Sequence, residues 1–149
     1  MGAALFADLS PDRFVTLIYA VLDTRLHRLR YASAGHTPIL HYQARERRFT
    51  SLEATGVPLG LFERPVYPAG PLRKIKPGDL VLFFTDGIIE AVDAARRPFG
   101  LRRLCDLLAE CAPRSCVEIA DSIGQAVAKH GGDHPLSDDL TLLLVRRRP

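Results

Sequence analysis

Pro77-Gly78-Asp79-Leu80-Val81-Leu82-Phe83-Phe84-Thr85-Asp86-Gly87-Ile88-Ile89-Glu90-Ala91 is the stretch around which the rest of the chain is organised. Pro77-Gly78-Asp79 is a turn signal, and the apolar run Leu80 to Phe84 behind it is short and bounded, as a buried strand is. The strand stops on Thr85-Asp86-Gly87. An apolar run needs no charge at its end. A carboxylate where the strand leaves the core, followed by a glycine that lets backbone approach closely, therefore points to a site. Asp-Gly is equally an ordinary turn dipeptide, and this stretch alone leaves both readings open.

Near the C-terminus, Ser137-Asp138-Asp139-Leu140-Thr141-Leu142-Leu143-Leu144-Val145 repeats the pattern, carboxylates abutting a buried-strand run. Two strands that each carry an acidic residue at one end can set carboxylates side by side in a sheet. Like charges repel there unless a cation or a proton intervenes. Hard divalent ions such as Mg²⁺ or Mn²⁺ suit oxygen ligands. Taken alone, Asp138-Asp139 also reads as a helix-to-strand turn. Asp79 is a poor member of the same cluster, because at about 3.3 Å per strand residue it falls roughly 20 Å from Asp86, at the other end of the strand.

Ala34-Gly35-His36 with Pro38, Gly56 with Pro58-Leu59-Gly60, Thr85-Asp86-Gly87 with Glu90-Ala91, and Ser137-Asp138-Asp139-Leu140-Thr141 stand in this order along the chain. The series resembles the metal-dependent protein phosphatases of the protein phosphatase 2C-like superfamily. The nearest likeness is to the bacterial branch typified by SpoIIE and the regulators of stress sigma factors, and it runs from Phe14 to Val145. The resemblance implies an α+β fold, a layered α-β-β-α sandwich of antiparallel sheets flanked by helices. It implies Mn²⁺ or Mg²⁺, two ions in a complete domain, bridged by a water or hydroxide that attacks phosphoserine or phosphothreonine in line. Asp86 and Asp138 match the family's metal-binding, catalytic aspartates. Asp139 occupies the neighbouring position as an occasional ligand, and Gly87 would keep the approach to the ions open.

Family members begin with two further acidic motifs, of Gly-Asp-Phe-Tyr-Asp and Asp-Gly-His-Gly type, that this sequence lacks. By the resemblance, residues 1–149 are expected to be a single, N-terminally truncated phosphatase domain. Two aspartates hold one ion weakly and a bridged pair hardly at all. Missing strands leave a sheet edge or apolar face to be covered, so self-association or strand exchange into a homodimer is expected. The implied function is removal of phosphate from a serine of an anti-sigma-factor antagonist. The alternative is a non-catalytic regulatory module that keeps the fold without the chemistry.

At 149 residues the chain fits one domain with a real core. A net charge of +3 is spread over Arg45, Arg47 and Arg48, Arg102 and Arg103, and Arg146 to Arg148. The last of these reads as a solvated tail, and no series of stacking aromatics accompanies it, so nucleic acid is not an expected partner. Cys105, Cys111 and Cys116 match no zinc spacing and read as small apolar helix residues in a reducing compartment. No run approaches the roughly 20 apolar residues of a membrane span, and no basic-then-apolar leader opens the chain, which leads to a cytoplasmic, soluble assignment.

Outward from the central stretch, Phe14 to Leu22, Leu29 to Ser33, Ile39 to Gln43 and Phe49 to Leu52 read as strands of an antiparallel meander. Residues 64–75, rich in proline, suit connectors and edge strands. A helix is expected over Ile88 to Ala95, with Glu90 and Asp93 favouring its N-terminal dipole. A second carries Leu101, Leu104, Leu107 and Leu108 on one face. A third starts at the Ser115 to Glu118 capping box, buries Ile119, Ile123 and Val127, and closes on Gly131-Gly132. His36 in its turn reads as structural. The His130, Asp133 and His134 stretch reads as a polar loop, with His134 a conceivable ligand.

Overall fold

The computed structural model describes residues 6, 9–10, 13–132 and 138–148. The chain forms two compact units, Met1–Pro38 with Leu52–Lys76, and Ile39–Ser51 with Pro77–Pro149. The class is α+β, with two antiparallel sheets and flanking helices.

The first unit holds β1 (Leu17–Asp23), β2 (Arg28–Ala34) and a short β5 (Arg73–Lys74), in the order β1-β2-β5. β1 and β2 pair antiparallel from Leu17 opposite Ala34 to Asp23 opposite Arg28. Asp23 makes the turn between them, its Oδ1 accepting from Arg25 N at 2.9 Å and Leu26 N at 2.8 Å. The ladder starts later than Phe14 because Val15 exchanges both of its backbone bonds with Leu59. Gly35 follows β2 at φ +63°, and a Cβ there would lie 2.3 Å from Pro58 Cγ, so conformation and space both demand glycine.

That corner corrects the meander. β2 and β3 are consecutive in sequence but belong to different sheets. Ser33 O accepts from both Thr55 N and Gly56 N, and Gly35 N donates to Gly56 O. The end of β2 is thus taken by residues 55–56, and the chain leaves for the second sheet.

The second unit holds β3 (Ile39–Gln43), β4 (Arg48–Leu52), β6 (Leu80–Phe84) and β7 (Leu142–Arg146), in the order β4-β3-β6-β7. Among the described residues three helices follow β6: α1 (Gly87–Glu90), α2 (Gly100–Cys111) and α3 (Cys116–Gly131). Leu80, Leu82 and Phe84 of the sheet share one core with Leu104, Leu108 and Cys111 of α2 and Ile119, Ile123 and Val127 of α3. Each such side chain contributes about 1.5–3 kcal/mol on leaving water. The α2 face runs 104, 108, 111; Leu101, at the first turn, is exposed instead. All three cysteines are free thiols, and burial pushes the Cys105 thiol up.

The helix expected over Ile88 to Ala95 is shorter than its composition suggested. α1 ends at Glu90, and Ala91 takes an extended ψ of 125°. Asp93 then binds Ala95 N and Arg97 N with Oδ1, both at 2.9 Å, and the Arg97 guanidinium with Oδ2. An aspartate that satisfies nearby amides this way favours a turn over a helix.

The start of α3 is set by the full capping box. Glu118 N donates to Ser115 Oγ and Ser115 N donates to Glu118 Oε2. These bonds hold the Glu118 carboxyl below its ordinary value of 4.5. A depressed carboxylate stabilises the fold above that ordinary value, and the contribution disappears as pH falls through the folded-state value. Ser115→Ala is expected to flatten this acid limb in thermal melts between pH 6 and the acid range. An unchanged limb would show that the box is not coupled to folding. Among the described residues, no helix is long and apolar enough to cross a membrane.

Candidate metal centre

β6 and β7 deliver the two acidic stretches to one end of the second sheet. Their register ends with Phe84 opposite Leu142. One step further, Thr85 takes over the pairing with its side chain as well as its backbone. Thr85 N donates to Thr141 O at 3.0 Å. The Thr85 hydroxyl donates to Asp139 O at 3.1 Å and accepts from Thr141 N at 3.1 Å. This residue therefore fixes the Asp138 to Thr141 segment beside Asp86, and it delays the start of β7 to Leu142.

Asp86 caps α1. Its Oδ1 accepts from Gly87 N at 3.1 Å, and its carbonyl accepts from Ile89 N and Glu90 N. Asp138 Oδ1 accepts from Asp139 N at 2.7 Å. Both carboxylates are exposed, and each spends one oxygen on a local amide. Gly87 separates them. A Cβ on Gly87 would stand 2.7 Å from Asp139 O and 3.4 Å from Asp138 Cβ. The glycine is needed for space, so that two acidic segments can approach. Asp139 faces this contact with its carbonyl oxygen, while the residue itself is exposed.

The donors are oxygens, the right class for Mg²⁺ or Mn²⁺, and two carboxylates would leave most of such an ion's shell to water. Among the described residues no group of three or more His, Cys, Asp and Glu side chains is disposed to hold a metal. A bridged pair of ions needs ligands beyond these.

Asp79 stands at the far end of β6, buried, with Oδ2 2.9 Å from His41 Nε2. His36 lies in the turn of the first unit, 3.4 Å from Thr37 Oγ1. His130 Nε2 donates to Arg97 O at 2.9 Å and its ring packs edge-on against Phe99. Ser137, Asp133 and the conceivable ligand His134 lie outside the described residues.

Two contributors were not singled out from sequence. One is the Thr85 clamp, signalled only by a hydroxyl between a buried phenylalanine and the aspartate. The other is the Asp93-Arg97 clasp behind α1, whose four-residue spacing on a helix would have been an ordinary ion pair. Hydrogen bonds from Arg97 hold the Asp93 carboxyl down to about 2 from 3.8. By linkage the clasp stabilises the fold above pH 3.8 and is lost as pH falls toward 2.

Comparison with known proteins places these features in context. The Stage II sporulation protein E (SpoIIE) family matches residues 1–148. Phosphoserine phosphatase RsbU of Bacillus subtilis (strain 168) is 32% identical over 138 residues, which are 91% of this chain and 39% of RsbU. The solved RsbU and RsbW domains of Rv1364c from Mycobacterium tuberculosis superpose with a TM-score of 0.78 at 27% identity, covering 98% of this chain and 40% of that one. The SiaA-PP2C domain of Pseudomonas aeruginosa shares the fold, with a TM-score of 0.77 at 23% identity over 88% of this chain and 51% of that one. The chain thus spans well under half of the length of RsbU.

Proposed function

Because the chain belongs to the SpoIIE family, we propose that it is the C-terminal part of a metal-dependent serine/threonine protein phosphatase domain acting in sigma-factor regulation. The reading rests on one observation above the others. Gly87, next to Asp86 in sequence, has no Cβ to hold off the Asp138-Asp139 segment that packs against it. In this reading they are the metal ligands, Asp139 stands beside them, and Gly87 keeps the approach open. The ion, Mn²⁺ or Mg²⁺, supplies an activated water and neutralises phosphoryl charge.

The chain's own residues do the positioning. Asp86 is held by the first turn of α1. The Thr85 hydroxyl ties the Asp138 segment to the end of β6. The substrate in this reading is phosphoserine on an anti-sigma-factor antagonist in the cytoplasm. RsbU carries the name phosphoserine phosphatase, and the Rv1364c structure joins RsbU and RsbW domains. Homodimerisation belongs to the same reading, since the exposed Leu17, Tyr19 and Val21 of β1 offer an apolar strand for pairing.

A second reading, a regulatory module without catalysis, draws on the lack of a third metal-ligating side chain among the described residues. Phosphate release from a phosphoserine protein separates the two. Release that requires Mn²⁺, stops with chelator and is lost in Asp86→Asn is the expected result. No release by the 149-residue chain under any of these conditions would favour the module.

A further inference from the structure

The two ends of the four-stranded sheet carry opposite charge. Asp86, Glu90, Asp138 and Asp139 are exposed at one end. At the other, Tyr42 pairs with Leu80 and Leu80 with Arg146, so the β3-β4 turn and the continuation of β7 leave the sheet side by side. The turn carries Arg45, Arg47 and Arg48, all exposed, and the continuation carries half-buried Arg147 and exposed Arg148. Glu46 is the acidic residue of these two segments.

A buried carboxylate that the metal chemistry does not use joins the two basic segments. Asp79 Oδ1 accepts from Ala44 N at 3.0 Å, which pins the root of the turn. Its Oδ2 is bonded to His41 of β3 at 2.9 Å. Its backbone carbonyl accepts from Arg147 N at 3.2 Å, while Gly78 N donates to Arg147 O at 2.9 Å. Asp79 thereby ties together, at one end of the sheet, two segments distant in sequence that carry five arginines. Burying a charge is costly unless it is paired and hydrogen-bonded. Here the bonds it makes build that surface.

We propose that this basic end is a docking surface for an acidic segment of a protein partner. Resting on the reading above, that partner is the phosphoprotein whose phosphoserine is handled at the Asp86 end. Guanidinium groups match carboxylates with paired donors. The aromatics nearest the turn, Tyr42 and Phe49, pack on each other with ring centroids 5.0 Å apart, so they are not offered to stack on bases. The strand separates the two ends by roughly 20 Å. A folded domain of about 100 residues, with a radius of gyration near 13 Å, reaches across that distance. The opposed charges would orient such a partner during approach.

Binding of a labelled polyglutamate peptide to the metal-free 149-residue chain tests this, with a short DNA duplex as the rival probe. The Arg45→Glu/Arg48→Glu pair and the Arg147→Glu/Arg148→Glu pair are each expected to weaken peptide binding about tenfold or more at low salt. Circular dichroism and melting confirm that each variant folds, and the corresponding lysine pairs, which keep the charge without the paired donors, should bind between the parent chain and the glutamate pairs. Unchanged affinity in folded variants, or no peptide binding by the parent chain, overturns the proposal. Tighter binding of the duplex than of the peptide also overturns it and makes the surface a nucleic-acid one. No metal or phosphate enters the measurement, so failure of the phosphatase reading would leave its outcome intact.

Discussion

Asp79→Ala is expected to lower the unfolding free energy by about 3–5 kcal/mol, the usual cost of removing one partner from a buried pair. Asp79 is 0% and His41 2% exposed, so neither can turn to water when the other is lost. The substitution strands His41 Nε2 and the Ala44 amide together. His41 Nδ1 is already buried without a partner among the described residues, which leaves the ring no second anchor. Against a typical total of about 5–15 kcal/mol this is a large fraction. Asp79→Asn keeps the shape and one acceptor and should cost less. Urea unfolding of Asp79→Ala, His41→Ala and the double variant gives the coupling directly, expected at about 0.5–3 kcal/mol. Single-variant losses below about 1 kcal/mol would mean that the pair contributes no more than an ordinary hydrogen bond.

The second large effect is expected at Gly87. Alanine is the better helix former by about 1 kcal/mol, so a purely local view makes Gly87→Ala stabilising. The contact decides otherwise. Its Cβ would press to 2.7 Å from Asp139 O, a backbone atom held by Thr85 and unable to move aside cheaply. The Asp138 segment must then shift away from Asp86. Metal affinity is expected to fall about tenfold or more, in the range seen when groups that orient ligands are removed. Thr85→Val, which keeps the shape but loses both hydroxyl bonds, should act the same way, and Thr85→Ser should restore most of the affinity. Mn²⁺ titration beside metal-free melting distinguishes misplacement of the aspartates from general destabilisation. Wild-type affinity in Gly87→Ala would show that the two segments have slack.

Much of this architecture is legible in residue order, where local physics decides. β3 and β6 have the bounds that their apolar runs imply, Ile39–Gln43 and Leu80–Phe84. The Ser115 to Glu118 capping box places the start of α3 at Cys116. Most of what escaped is non-local, the length of α1 being the exception. Pairing of β3 with β6 across residues 44–79, in place of β2, is decided at the Gly35 corner by bonds to residues 55–56. The length of α1 is decided by Asp93 turning its side chain to local amides. At the candidate site, Asp86 and Asp138 stand out because a charge at the end of an apolar run is unusual. Thr85 does not, because its bonds to residues 139 and 141 exist only once β6 and β7 are paired.

The proposed role of Asp86 and Asp138 as joint metal ligands is tested most directly by Mn²⁺ binding, followed by the paramagnetic resonance signal of the free ion. The expected result is saturable binding by the parent chain that is weakened about tenfold or more by Asp86→Asn and by Asp138→Asn separately, with the double variant little worse than either. Binding that survives both substitutions would place the metal elsewhere and contradict a centre built on these two aspartates.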